Sequence, residues 1–97
     1  MTNEQRKINE AIENHLKSFL FEVRDKIANK YGAEIIAKVE TIYNDAMNCP
    51  IDWRKGNFNA ALTLLNKLIN DKYPWLSYKA QANLCEIFIK ERVKNNL

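Results

Sequence analysis

Only Gly32, Pro50, Gly56 and Pro74 can break a helix through backbone chemistry alone, because the chain holds two glycines and two prolines. Gly32 follows Tyr31 and reads as a helix stop. Pro50 cannot continue the helix before it and biases Cys49 away from helical geometry. Asn57, just after Gly56, is a helix N-cap type, and so is Ser77, three residues after Pro74. No segment shows strand alternation or a hairpin turn pair. These breakers predict an all-α, single-domain bundle of about four helices, over 3–31, 33–48, 57–72 and 77–94. The first helix is long, and no sheet is expected.

Apolar spacing supports that division. Ile8, Ile12, Leu16, Phe19, Leu20, Val23, Ile27 and Tyr31 recur at helical period. Thr2 and Gln5 have the spacing of a capping box. Ile35, Ile36, Val39, Ile42, Tyr43, Ala46 and Met47 continue the phase past Gly32. An unbroken helix over 3–47 would reach about 66 Å at ~1.5 Å per residue, longer than a globule of 97 residues covers unless it pairs as a coiled coil. A break near Gly32 follows. Glu13–Lys17, Glu22–Lys26, Glu34–Lys38 and Glu86–Lys90 are spaced as i,i+4 pairs in the favoured order.

The third segment carries Phe58, Ala61, Leu62, Leu64, Leu65, Leu68 and Ile69, a wide face that predicts a central helix. Gly56, Phe58, Ala61, Leu65 and Leu68, with Pro74 beyond, resemble the second helix of a tetratricopeptide repeat. Asp45, Asn48 and Cys49 depart from that family's first helix, and no 34-residue period recurs. The spacing is therefore taken as that of a helix packed on two neighbours, with no peptide groove implied. In the last helix Ala80, Leu84, Ile87 and Phe88 share one face. Tyr78, Ala82, Cys85, Ile89 and Val93 form a second stripe. Leu76 precedes the cap but faces polar Gln81 at the position where a hydrophobic staple would close.

Chemistry is sparse. His15 is the single histidine and is expected on the exposed side, with no second histidine to complete a metal or acid–base site. Ser18, Ser77, Cys49 and Cys85 are the nucleophile candidates. Ser77 is occupied as a cap and Cys85 lies on an apolar stripe, so Cys49, near Arg54 and Lys55, is the one candidate reactive thiol. Two glycines cannot build a phosphate loop. No catalytic residue, cofactor or metal is expected, and the chain reads as a non-enzyme. Nor does it carry a secretory leader or an apolar run near the ~18 residues that span a bilayer, which predicts a cytoplasmic protein with reduced thiols and no membrane partner.

What remains is binding. The net charge of +3 is concentrated in the second half, since residues 1–48 carry −1 and 49–97 carry +4. Two aromatic–basic stretches flank the third helix. The candidate contact residues are Trp53, Arg54, Lys55, Lys72, Tyr73, Trp75, Tyr78 and Lys79, rich in the types that dominate interfaces. The expected function is protein binding, as by a bacterial or phage inhibitor, immunity protein or antitoxin that occludes a toxin or effector. Abundant Lys, Ile and Asn, with thirteen asparagines, suit an AT-rich genome. Nucleic-acid binding through the basic half is the first alternative. Self-association through the long first helix is the second.

Overall fold

The computed structural model describes residues 1–16, 20–49 and 58–96. Its elements are α1 (Asn3–His15), α2 (Leu20–Tyr31), α3 (Ala33–Met47), α4 (Phe58–Lys72) and α5 (Tyr78–Asn96), with no strand among the described residues. The all-helical expectation holds, with five helices in place of about four. Pro50, Gly56 and Asn57 lie outside the described residues.

The extra helix comes from a break the sequence does not announce. α1 ends at Leu16, whose backbone turns extended (φ −86°, ψ 90°) while its N–H donates to the Ala11 carbonyl at 3.3 Å. A continuous helix over 3–31 would run about 44 Å at ~1.5 Å per residue, beyond the 40 Å longest dimension of the molecule. Breaking it lets α1 and α2 pack on each other and both on α3. Two of the carbonyls freed at the end of α1 find a distant partner. Asn83 of α5 donates its side-chain Nδ2 to the Ile12 carbonyl at 3.0 Å and the Glu13 carbonyl at 3.1 Å. A partner some seventy residues away thus satisfies part of the helix end. Leu16 itself is fully buried.

The break at Gly32 is where expected. Its φ of +98° with ψ 165° lies where L-residues are strained, and a single residue separates α2 from α3. Its N–H closes α2 on the Ala28 carbonyl at 2.9 Å, and its carbonyl accepts from Ile36 at 3.2 Å. Arg24 and Glu40, equally far from Gly32, pair at 3.3 Å, so the chain doubles back there.

The central helix is α3, not α4. It touches all four others, whereas α4 touches only α3 and α5 among the described residues. Ile35, Ile36, Val39, Ile42, Tyr43 and Ala46 are buried on it. The wide apolar face of α4 is only partly used: Ala61, Leu65 and Ile69 are buried, while Leu64 is 44% exposed. On α5 the first of the two stripes wins, with Ala80, Leu84, Ile87 and Phe88 inside. Among the i,i+4 pairs, Glu86–Lys90 forms at 3.2 Å. Lys38, expected on Glu34, instead reaches across to Glu4 of α1.

Candidate functional site

The corner between α4 and α5 is built from local chemistry. Leu76 N–H donates to the Tyr73 carbonyl at 3.0 Å, closing a turn with Pro74 and Trp75 at its centre. Proline's fixed φ suits the first central position. Ser77 then caps α5, its Oγ accepting from Ala80 N–H at 3.1 Å. Leu76 has no staple partner and needs none. It is buried in the core, and Gln81, itself buried, donates Nε2 to the Leu76 carbonyl at 3.1 Å and to Asn70 Oδ1 at 2.8 Å.

Two other helices pin this corner. From α1, Asn9 is 5% exposed and works in both directions: Oδ1 accepts from Ser77 N–H at 2.8 Å, and Nδ2 donates to the Trp75 carbonyl at 3.2 Å. From α3, Asp45 accepts a hydrogen bond from the Tyr73 hydroxyl and pairs with Lys72 at 3.5 Å. Tyr73 and Trp75 meet edge to face at 6.0 Å between ring centroids, a favoured aromatic geometry. Trp75 is half-buried, so it both covers the core and offers a surface.

The result is a groove of about 450 Å3 between the corner, α1 and α3. Ile8 and Ile42 make its apolar floor, Tyr73 and Trp75 a wall, and Lys38 and Lys72 its cationic rim. Each cation has its own carboxylate, Glu4 and Asp45 respectively. Such a surface offers aromatic area and balanced charge. Burial first, and the Asp45 bond and charge second, push the Tyr73 phenol up to about 12. It is a fixed donor at neutral pH.

That shift predicts a pH dependence. A tyrosine in the unfolded chain ionises near 10, whereas folded Tyr73 holds its proton to about 12. Between those values the unfolded state binds fewer protons, so stability falls as pH rises through the window and is fully present below it. Tyr73→Phe is expected to flatten the decline between pH 10 and 12, read from urea midpoints. A variant curve with the wild-type slope there contradicts the assignment.

Lys72, Tyr73 and Trp75 are thus brought together, and two other sequence candidates are not. Tyr78, 88% exposed, faces a separate groove of about 330 Å3 along the α4–α5 seam. Lys79 is exposed on the first turn of α5. Trp53, Arg54 and Lys55 lie outside the described residues. Sequence reasoning missed Asn9, Lys38, Glu4 and Asp45. Their roles are contacts between distant segments, and no local pattern marks them.

The α4–α5 seam has a regular polar register. Cys85 Sγ donates to Asn66 Oδ1 at 3.2 Å, and one turn along Gln81 meets Asn70. Cys49, placed by the sequence in a loop and the one candidate for a reactive thiol, is fully buried beyond α3 in the core. Cys85 is also buried, and desolvation, with Cys49 adding to it, raises its thiol pKa. Such an environment disfavours the Cys85 thiolate. His15 corrects another expectation. It is half-buried, its Nε2 enclosed without a hydrogen bond, and its ring meets Tyr31 edge-on at 5.7 Å. Burial, then Glu10, raises the Tyr31 phenol, although the two side chains form no well-shaped hydrogen bond.

Among the described residues no group of three His, Cys, Asp or Glu is arranged to hold a metal ion, and no helix is long and apolar enough to cross a membrane. Comparison with family models, curated proteins and solved structures returns no match.

Proposed function

We propose that this chain is a non-enzymatic protein-binding module that works by covering a partner, in the manner of a bacterial or phage inhibitor or immunity protein. Its contact face is the corner bearing Lys72, Tyr73 and Trp75. The observation that supports this reading is the groove there, where two edge-to-face aromatics sit between ion-paired lysines on a backbone pinned from α1 and α3. Rigid aromatic anchors ringed by polar groups are the usual centre of a binding energy hot spot. The balanced rim favours a protein over a nucleic acid. Lys38 and Lys72 each pair with a carboxylate, and a phosphate-tracking surface wants its cations unneutralised and gathered. With its positive net charge, an inhibitor of this kind plugs its target sterically rather than mimicking nucleic acid.

The test is recovery of a partner from the cell that encodes the chain. The baits are wild type, a Lys72→Ala/Trp75→Ala double variant with unchanged far-UV circular dichroism, and Lys26→Ala on exposed α2. Wild type and Lys26→Ala are expected to recover the same protein, and the double variant at least ~10-fold less, the effect of losing one hot spot. Equal recovery by all three sinks the corner as the contact face. Recovery of DNA or RNA that collapses with added salt replaces the reading with the nucleic-acid one.

A further inference from the structure

We propose that the chain pairs with a second copy of itself through the outer stripe of α5, antiparallel about a two-fold axis. The sequence places two apolar stripes on α5, and the core takes the one carrying Ala80, Leu84, Ile87 and Phe88. The described part of the other stripe, Tyr78, Ala82, Cys85 and Ile89, lines the groove of about 330 Å3 at the α4–α5 seam. That groove shares no lining residue with the corner groove. Tyr78 stands on it 88% exposed, Ala82 is exposed and Ile89 is half-buried. Tyrosine is a residue type enriched at interfaces, where its ring packs and its hydroxyl stays wet. Self-association through a long first helix loses its element, because α1 ends at His15. At 19 residues, α5 is the longest described helix and offers one in its place.

Three properties of the stripe identify its occupant as a second copy. Its spacing of four, three and four residues reads the same in both directions. In an antiparallel pair, one register therefore sets Tyr78 against Ile89 of the second copy and Ala82 against its Cys85. Size matches as well. The large side chains lie at the two ends, about 16 Å apart at ~1.5 Å per residue, and the small ones lie between, where they let two helix axes approach. Charge completes the match. Lys79 and Glu86, both exposed, flank the stripe on the same side. The two-fold brings Lys79 of each copy beside Glu86 of the other, one ion pair repeated by symmetry. Glu86 already reaches Lys90 at 3.2 Å along this flank, so its carboxylate lies on the side the second copy approaches. A face that binds an unrelated chain need not mirror itself, whereas one that binds its own copy by a two-fold must.

Sedimentation velocity at low salt, from about 10 µM to about 1 mM protein, decides the matter, because a helix-on-helix seam gives a weak, reversible dimer. Wild type is expected to pass from monomer to dimer over that range. Ala82→Arg, at an exposed position, puts bulk and charge at the closest approach and is expected to stay monomeric throughout. Lys79→Glu sets like charges together at both symmetry-related pairs and is expected to weaken the dimer roughly 10-fold. The swap Lys79→Glu/Glu86→Lys is expected to restore it, and Lys26→Ala on exposed α2 to match wild type. Unchanged far-UV circular dichroism qualifies each variant as folded. A wild type that is monomeric at every concentration overturns the proposal, as does a dimer that survives Ala82→Arg or a charge swap that recovers nothing. A monomeric wild type whose capture of a different protein is lost in Ala82→Arg gives the stripe to that other chain and overturns it equally. Capture through the corner is read with other variants, so either reading can fail alone.

Discussion

Phe88→Ala is expected to cost about 3–5 kcal/mol, the usual range for emptying a fully buried aromatic site. Phe88 has no exposed surface and heads the largest buried side chains, in one core with Ile8 and Ile12 of α1, Val39 of α3 and Leu65 of α4. A domain of this size has only ~5–15 kcal/mol in total. The variant therefore loses between about a fifth and all of its stability. The urea midpoint drops while the slope stays unchanged, because the surface exposed on unfolding is nearly the same. Ile89, next in sequence, is the contrast. It is half-buried on the seam groove, and Ile89→Ala is expected to cost only ~1 kcal/mol. Equal losses at the two positions would mean that α5 presents a different face to the core.

That contrast shows what the sequence could and could not reveal. Periodicity placed two apolar stripes on α5 and could not rank them, since both have helical spacing. The ranking depends on where the other helices lie. The same holds for α4, whose wide apolar face suggested a central position. Width counts apolar side chains, not neighbours, and Leu64 is left 44% exposed. What was legible was local. Thr2 accepts from Gln5 N–H at 3.1 Å and Gln5 returns the bond to Thr2 N–H at 3.1 Å, the box its spacing implied. Ser77 acts through its own hydroxyl and Gly32 through its own backbone geometry, and both were equally readable.

The other unreadable features are long-range and polar. The break after α1 has no glycine or proline, because its cost is met by Asn83 from the far end of the chain. Lys38 had a suitable local partner in Glu34, worth only ~0.2–0.5 kcal/mol, and tertiary packing put Glu4 within its reach instead. Weak local preferences yield where a fold brings a second partner close. The candidate site was half legible for the same reason. Its aromatics are contiguous in sequence, while the residues that fix their position are scattered over α1 and α3.

Asn9 is the sharpest case, and its substitution has the second largest expected effect. Asn9→Ala removes the acceptor for Ser77 N–H and the donor for the Trp75 carbonyl in a site where Asn9 is almost wholly buried. Stranding such groups costs up to ~1–3 kcal/mol each, and both bonds are only part-buried, so a loss of about 2–4 kcal/mol is expected, read from the urea midpoint. Truncation alone confuses lost bonds with lost volume, and Asn9→Asp separates them. Aspartate has nearly the same shape and keeps the acceptor, but at neutral pH it sets a charged oxygen against the Trp75 carbonyl. Burial and that repulsion raise the folded pKa of the new carboxyl above its unfolded value. Protonation restores a donor. The deficit of Asn9→Asp relative to wild type is thus full above the raised pKa and shrinks as pH falls through it. A deficit that does not change with pH would assign Asn9 a packing role only. A deficit that shrinks in acid means the corner is held by direction-specific hydrogen bonds, so the placement of Trp75 in the groove is set from α1, sixty-six residues away.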